Sequence, residues 1–158
     1  MSVNVICPGS FDPVTLGHLD VFERAATTYD HVVVAVVGNP SKSGMFDVDE
    51  RIALIEAELT SLDNVEVIAY QGLLVDLCRE RDIMTLCKGL RSTGDFEYEL
   101  QMAQMNRHLA GVETVLMASA PEHAHVSSSL VKEIVRAGGS ASGLVPAAVE
   151  RALAAKVG

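Results

Sequence analysis

Short apolar segments rich in β-branched residues alternate with longer amphipathic segments along this 158-residue chain. The apolar segments have the length and composition of parallel strands that are covered on both faces. They are Val3–Cys7, Val32–Val37, Val65–Ala69, Ile83–Cys87 and Thr114–Ala118. The remaining periodic segments predict helices over Gly17–Thr28, Val48–Thr60, Leu73–Arg81, Ser92–Leu109, Ser128–Ala137 and Pro146–Lys156. The alternation predicts a single α/β domain over residues 1–158.

Repeated strand–helix units connect by right-handed crossovers, which favours a doubly wound, Rossmann-like sheet of five parallel strands in the order 3-2-1-4-5. Strands 1 and 4 are then neighbours at the point where the strand order reverses, and ligands bind there at the carboxyl ends of the strands. The turn Pro8–Ser10 follows strand 1, and Lys88–Arg91 follows strand 4. We therefore expect these two segments to converge on one crevice.

The net charge of the chain limits the classes of macromolecule that it can bind. The formal net charge of −9 disfavours binding to nucleic acid or to an anionic membrane surface, both of which require basic surface. No apolar run in the sequence approaches the length of a membrane span. A nucleotide needs only a few local cations, and Lys42, Lys88 and Arg91 each lie beside a glycine or proline turn.

Three cysteines, Cys7, Cys78 and Cys87, lack the spacing of metal ligands. Their odd number, together with the absence of a recognisable secretion signal, predicts reduced thiols and a cytoplasmic location. Cys7 and Cys87 end strands 1 and 4, so we expect them to lie close together as two free thiols.

The run Pro8–His18 reads Pro-Gly-Ser-Phe-Asp-Pro-Val-Thr-Leu-Gly-His and joins the first strand to the first helix. Backbone N–H groups in such a turn point outward, and the helix dipole adds partial positive charge, so phosphate is the favoured ligand. The run also places the imidazole of His18 in the first helical turn, where its N–H can face a bound anion.

Thr15-Leu16-Gly17-His18 resembles the Thr/His-x-Gly-His signature of a nucleotidyltransferase superfamily. Within it, the chain is most similar to the phosphopantetheine adenylyltransferases, and the resemblance runs from Cys7 to Arg136. Three further segments carry this similarity. They are Lys88–Arg91, then Asp95–Glu99 with Met105–His108, and finally Val126–Glu133.

The resemblance implies transfer of AMP from ATP to 4′-phosphopantetheine, giving dephospho-coenzyme A and pyrophosphate in coenzyme A synthesis. It also implies Mg²⁺ accompanying ATP, coenzyme A as a feedback ligand, and a homohexamer. Two alternatives remain open. One is a sibling enzyme, either an adenylyltransferase for nicotinamide or nicotinate mononucleotide or a cytidylyltransferase; the other is a nucleotide-binding module without catalysis.

Carried over by position, the resemblance implies that His18 stabilises the transition state at the α-phosphate. It implies ATP contacts from Ser10, Phe11, His18, Gly89, Leu90, Arg91, Glu99, His123, Ala124, His125, Val126, Ser127, Ser128 and Ser129. It implies contacts to the phosphopantetheine substrate from Ser10, Lys42, Leu74 and Lys88. The pair His123 and His125 supplies two metal ligands without an indicated third, so no resident metal site is predicted.

The chain departs from the commoner family pattern in two places. Position 88 is lysine where many members have arginine, which keeps the charge but loses the planar two-pronged geometry. Residues 123–125 read His-Ala-His where members often have aromatic–Ser–Phe, so less apolar surface is offered to adenine.

The helix Ser92–Leu109 carries two apolar stripes. Phe96, Leu100 and Ala103 share one face, and Tyr98, Met102, Met105 and Leu109 share the opposite face. Two stripes predict burial on both sides, one against the core and one against another subunit. This pattern favours an oligomer.

Overall fold

The computed structural model describes residues 1–38 and 43–158, which form alternating strands and helices. The strands are β1 (Asn4–Gly9), β2 (His31–Val37), β3 (Val65–Tyr70), β4 (Thr85–Leu90) and β5 (Glu113–Ala118). The α-helices are α1 (Leu16–Thr28), α2 (Val48–Glu58), α3 (Leu74–Arg81), α4 (Thr93–Ala110), α5 (Ser128–Arg136) and α6 (Ala147–Val157). A single 3₁₀ turn, Pro121–His123, precedes α5 in the described part of the chain.

The five strands form one parallel sheet in the order β3-β2-β1-β4-β5, which confirms the predicted topology. β1 pairs with β2 along its whole length, from Asn4 opposite His31 to Gly9 opposite Val36. On its other side, β1 pairs with β4 at Ile6 opposite Leu86. The switch point between β1 and β4 is therefore where the predicted crevice belongs.

The central strands extend further than their apolar patterns predicted. Pro8 and Gly9 belong to β1, and the residues Lys88, Gly89 and Leu90 belong to β4, opposite Leu116, Met117 and Ala118. The sequence prediction placed both segments in turns and was wrong there. Glycine in a strand lets another backbone or a ligand approach closely. The two glycine-containing strand ends thus form the inner wall of the switch point.

The core has two parts, one on each face of the sheet. Residues of α1, α2, α5 and α6 pack against one face, with Phe22, Ile55 and Leu153 among the buried side chains. The other face packs against α3, through Val75 and Leu77. β2 is buried at every position from Val32 to Val36, as expected for a parallel strand covered on both sides.

Helix α4 packs differently from the prediction. Neither apolar stripe is buried: Phe96 is 41% exposed, Tyr98 63% and Met105 53%. The side that faces the protein instead carries Asp95, Glu99, Ala103, Asn106 and Ala110, which are half-buried or buried. These five positions follow the i, i+3 and i+4 spacing of one helical face. The predicted packing of one stripe against the core is therefore wrong, whereas the contact of the other stripe with another subunit stays a prediction.

In the ranges 1–38 and 43–158, no helix combines the length and the hydropathy that crossing a bilayer would require.

Candidate functional site

A crevice of about 250 Å³ opens between the carboxyl ends of β1 and β4, beside the first turn of α1. Residues from both converging segments line it, together with residues of α4 and of the segment before α5. Nine of the residues singled out from the sequence are among them: Ser10, Phe11, His18, Lys88, Gly89, Arg91, Glu99, Val126 and Ser128. The predicted meeting of the two segments at one crevice is confirmed.

The imidazole of His18 is held in one orientation by the start of α1. Thr15 caps the helix, and its side-chain oxygen accepts a hydrogen bond of 3.3 Å from the backbone N–H of His18. In return, the backbone N–H of Thr15 donates to Nδ1 of His18 at 3.0 Å. Since Nδ1 accepts this hydrogen bond, the neutral ring carries its proton on Nε2. His18 is therefore an N–H donor with a defined tautomer.

The surroundings of His18 keep it neutral. Burial and then the positive charges of Arg91 and Lys88 together lower the pKa of His18 to about 4. Protonation would place a third cation in a crevice that already holds two. At neutral pH the crevice therefore presents one neutral hydrogen-bond donor beside two cations, each paired with a carboxylate of α4, and these three donors can together bind an anion.

Phe11 supports His18 from below. Its ring is buried and packs edge-on against the imidazole, with centroids 5.0 Å apart and an interplanar angle of 83°. A second edge-on contact, at 5.1 Å, joins Phe11 to Phe22 of the core. The backbone of Phe11 has φ of 46°, a left-handed conformation that is an outlier for an aromatic residue. The side chain of Phe11 therefore packs against the imidazole of His18.

Gly9 makes room for that ring. A β-carbon at this position would lie 2.6 Å from Cζ of Phe11, closer than real contacts allow. The glycine in the strand and the aromatic residue two positions later are therefore one packing unit.

The two cations of the crevice are each held by a carboxylate of α4. Lys88 forms a 3.1 Å ion pair with Glu99. Arg91 forms a 3.2 Å ion pair with Asp95 and donates a hydrogen bond of 2.7 Å to the backbone oxygen of Val126. The bond to Val126 ties the end of β4 to the segment before α5. Asp95 lines the crevice as well, although it was not among the predicted site residues.

Asp12 organises the outer side of the turn and was missed as a site residue. Its carboxylate accepts 2.9 Å hydrogen bonds from the backbone N–H groups of Met45 and Phe46 and a 3.1 Å bond from Lys132 of α5. The guanidinium of Arg51 lies 3.6 Å from the same carboxylate and donates to the backbone oxygen of Ser10. Asp12 therefore joins the β1–α1 turn to the segment before α2 and to α5.

The pKa of Asp12 reflects these contacts. Burial raises the pKa, but the hydrogen bonds from Phe46, Met45 and Lys132 outweigh burial and lower it below the ordinary value. The signal in the sequence was an acidic residue between Phe11 and Pro13, which the sequence analysis assigned to a turn.

The serines at the start of α5 have structural partners. Ser127 caps the helix, because its side-chain oxygen accepts a 3.1 Å bond from the backbone N–H of Leu130. Ser128 lines the crevice and donates a 2.8 Å bond to the backbone oxygen of Pro13. Capping α5 needs only one serine, and that serine is Ser127.

Several predicted residues lie outside the crevice lining. Leu74 is half-buried at the start of α3 and packs against the second core cluster, as an ordinary core leucine does. The others outside the lining are Leu90, His123, Ala124, His125, Ser127 and Ser129. His123 nevertheless lies near the turn, since a β-carbon on Gly17 would be 3.5 Å from its Cβ. Lys42 falls outside the described residues.

Within residues 1–38 and 43–158, no group of three or more histidine, cysteine, aspartate or glutamate side chains is arranged to hold a metal ion.

Comparison with known proteins agrees with this architecture. A family model described as cytidylyltransferase-like matches residues 6–134. The chain is similar in structure to a protein assigned as a nicotinate-nucleotide adenylyltransferase from Vibrio parahaemolyticus, with a TM-score of 0.67 and 19% identity over 98% of this chain and 99% of that one. At this identity the likeness shows the shared fold.

A second similar structure is a lipopolysaccharide core biosynthesis protein from Thermoplasma volcanium GSS1. Its TM-score is 0.54 and its identity 26%, over 76% of this chain and 99% of that chain.

Proposed function

We propose that this chain, which belongs to the cytidylyltransferase-like family, transfers AMP from ATP to 4′-phosphopantetheine, giving dephospho-coenzyme A and pyrophosphate. The observation that carries the proposal is the donor set of the crevice: a neutral His18 with its proton on Nε2, flanked by Lys88 and Arg91. The choice of acceptor rests on the resemblance of Lys88–Arg91 and Asp95–Glu99 to the phosphopantetheine adenylyltransferases.

The reaction needs alignment and charge stabilisation more than acid–base chemistry. A phosphate oxygen of the acceptor attacks the α-phosphorus of ATP, a new P–O bond forms, and the bond to the bridging oxygen breaks to release pyrophosphate. The attacking oxygen is already anionic at neutral pH, so no general base is required. In this proposal the Nε2–H of His18 donates to an α-phosphate oxygen on which negative charge builds up.

The two cations then have separate tasks. Lys88 receives the phosphate of the acceptor, and Glu99 holds the ammonium group in place before that phosphate arrives. Arg91 is braced by Asp95 and by the Val126 carbonyl, so its planar donor group is preorganised for the phosphates of ATP. Lysine at position 88 binds phosphate as a point charge, whereas arginine would add two-pronged geometry.

Mg²⁺ enters this proposal as part of the MgATP substrate. Magnesium at nucleotide sites is held mainly by the substrate phosphates and water, with one or two protein carboxylates. Coenzyme A carries both the adenylyl and the pantetheine groups, so we place any feedback inhibition by coenzyme A in this same crevice.

The test is pyrophosphate release from MgATP with three acceptors offered separately, 4′-phosphopantetheine, nicotinamide mononucleotide and nicotinate mononucleotide, and with no acceptor as a control. We expect release with 4′-phosphopantetheine alone. Release with a mononucleotide instead would keep His18 in the mechanism and would refute 4′-phosphopantetheine as the acceptor. ATP binding without release in any arm would favour the non-catalytic module. Replacing ATP by CTP tests the cytidylyltransferase alternative.

We also propose that the protein works as a homo-oligomer, a hexamer by resemblance, assembled through α4. This helix exposes apolar side chains on both flanks of its packed face, among them Phe96, Tyr98, Met102, Met105 and Leu109. So many large apolar side chains on one helix exceed the scattered exposure of a typical monomer surface.

The three free cysteines fit a reducing compartment, for which we propose the cytoplasm.

A further inference from the structure

Two cysteines that the proposed reaction does not use lie side by side in the crevice. Ile6 of β1 pairs with Leu86 of β4, so Cys7 and Cys87 are the next residues along two adjacent parallel strands. Both belong to the same core cluster and therefore point to the same face of the sheet. Both also line the crevice. The sequence prediction that they lie close together is confirmed.

The spacing of the two strands suits a covalent link. Neighbouring strands lie about 4.8 Å apart, and disulfides span Cα separations of roughly 4.4–6.8 Å. The two side chains are close enough for each to shift the pKa of the other. Little movement of the backbone is therefore needed to bring the sulfurs to bonding distance.

The pair is chemically asymmetric. The neighbouring Cys7 thiol lowers the pKa of Cys87 by more than burial raises it, and the positive charge of Arg24 lowers it as well. The neighbouring Cys87 and burial both raise the pKa of Cys7 well above its usual value. Since the thiolate is the reactive form, Cys87 is the nucleophile and Cys7 the resolving thiol.

We propose that Cys7 and Cys87 form an oxidisable dithiol in the floor of the crevice, which a hydroperoxide converts into a Cys7–Cys87 disulfide. The Cys87 thiolate attacks one peroxide oxygen, the O–O bond breaks, and hydroxide leaves with the proton that Cys87 released. The sulfur of Cys7 then attacks the resulting sulfenic acid, and a second water leaves with the Cys7 proton. Two thiols are oxidised to one disulfide, and hydrogen peroxide is reduced to two waters.

The link joins the two strands that carry the catalytic groups. Ser10 lies three residues beyond Cys7, and Lys88 follows Cys87 directly. The disulfide replaces two thiols that line the crevice and restricts the relative motion of β1 and β4 beside these groups, so oxidation lowers turnover reversibly. This functional consequence rests on the proposed function, whereas formation of the disulfide does not.

The third cysteine provides an internal control. Cys78 is buried in the core cluster on the other face of the sheet, away from the crevice. Burial is the main cause of its raised pKa. Trypsin separates the three cysteines into peptides 1–24, 52–79 and 82–88, so each possible pairing has its own mass.

The experiment treats the full-length reduced protein with hydrogen peroxide, blocks remaining thiols under denaturing conditions, and maps peptides without reduction. We expect a cross-linked species of peptides 1–24 and 82–88, with Cys78 blocked as a free thiol. Cys78→Ala should leave this cross-link unchanged, and Cys87→Ala should abolish it. Dithiothreitol should restore both the free thiols and the turnover of the oxidised protein.

Separate sulfinic acids on Cys7 and Cys87, or a cross-link that involves Cys78, overturn the proposal. So does a wild-type protein whose Cys7 and Cys87 remain free thiols after treatment. The wild-type map alone decides the matter if a cysteine variant fails to fold. If the cross-link forms without loss of turnover, the proposal of an oxidisable dithiol is retained and only its effect on the reaction is refuted.

Discussion

His18 shows how single residues acquire their properties in this protein. Its position follows from the sequence, since it stands three residues after the helix cap Thr15. Its tautomer follows from one backbone hydrogen bond, and its neutrality follows from burial beside two cations. Because its pKa of about 4 lies well below neutrality, the ring remains a neutral donor and its protonation state does not vary across the physiological pH range.

Replacing His18 by alanine should remove one preorganised donor from the proposed transition state. We expect turnover to fall on the order of 10²–10³-fold, with ATP affinity and fold largely retained. Steady-state pyrophosphate release and calorimetric ATP binding measure the two effects. His31→Ala is the matched control, because His31 pairs with Glu66 at a surface position. Normal turnover in the His18 variant would remove this residue from the mechanism.

The lowered pKa of His18 also predicts a dependence of stability on pH. In the unfolded chain the imidazole has a pKa of about 6.5, whereas in the folded protein its pKa is about 4. Between these values the unfolded state binds more protons, so the stabilisation present above about pH 6.5 is lost as the pH falls toward about 4. Urea unfolding of the wild type and of His18→Gln across this range measures the effect. Equal pH slopes for the two proteins would contradict it.

At the scale of elements, contacts between segments far apart in the sequence hold together the strand ends and helix starts that border the crevice. The β1–α1 turn is held from outside by Asp12, which contacts the segment before α2 and Lys132 of α5. Arg91 connects the end of β4 to the segment before α5. Each wall of the crevice therefore depends on contacts with elements distant in the sequence.

Asp12→Asn should weaken these connections. The change leaves Arg51 and Lys132 without their buried counter-charge, and breaking a buried ion pair costs about 3 kcal/mol or more. We expect a loss of that order in the free energy of unfolding, measured with urea. Asp20→Asn is the control, since its surface pair with Arg24 contributes roughly 0.5 kcal/mol. Comparable losses in the free energy of unfolding of the two variants would show that Asp12 does not hold these elements together.

The whole molecule leaves one helix poorly covered. α4 contributes carboxylates to the crevice with its packed face and exposes apolar residues on both sides of that face. Covering these side chains in an assembly would also restrict the motion of Asp95 and Glu99. Assembly and the proposed chemistry are therefore linked through the same helix.

Substituting glutamate for Met105 and Leu109 together should disrupt the proposed assembly. We expect the double variant to run as a smaller species in sedimentation velocity, because charges at a buried interface are costly. Val157→Glu is the control, an equally large polar change at an exposed apolar position of α6. A wild-type protein that sediments as a monomer would refute the proposal directly.

The sequence by itself determined the strand and helix order, the position of the switch point, and the histidine beside it. These features follow from local periodicity and from one contiguous motif, which neighbouring residues specify. Only the tertiary structure decided the tautomer and pKa of His18, the role of Asp12 and the exposure of α4. Each of these depends on which distant side chains meet, and burial and charge act between groups that the chain order does not bring together.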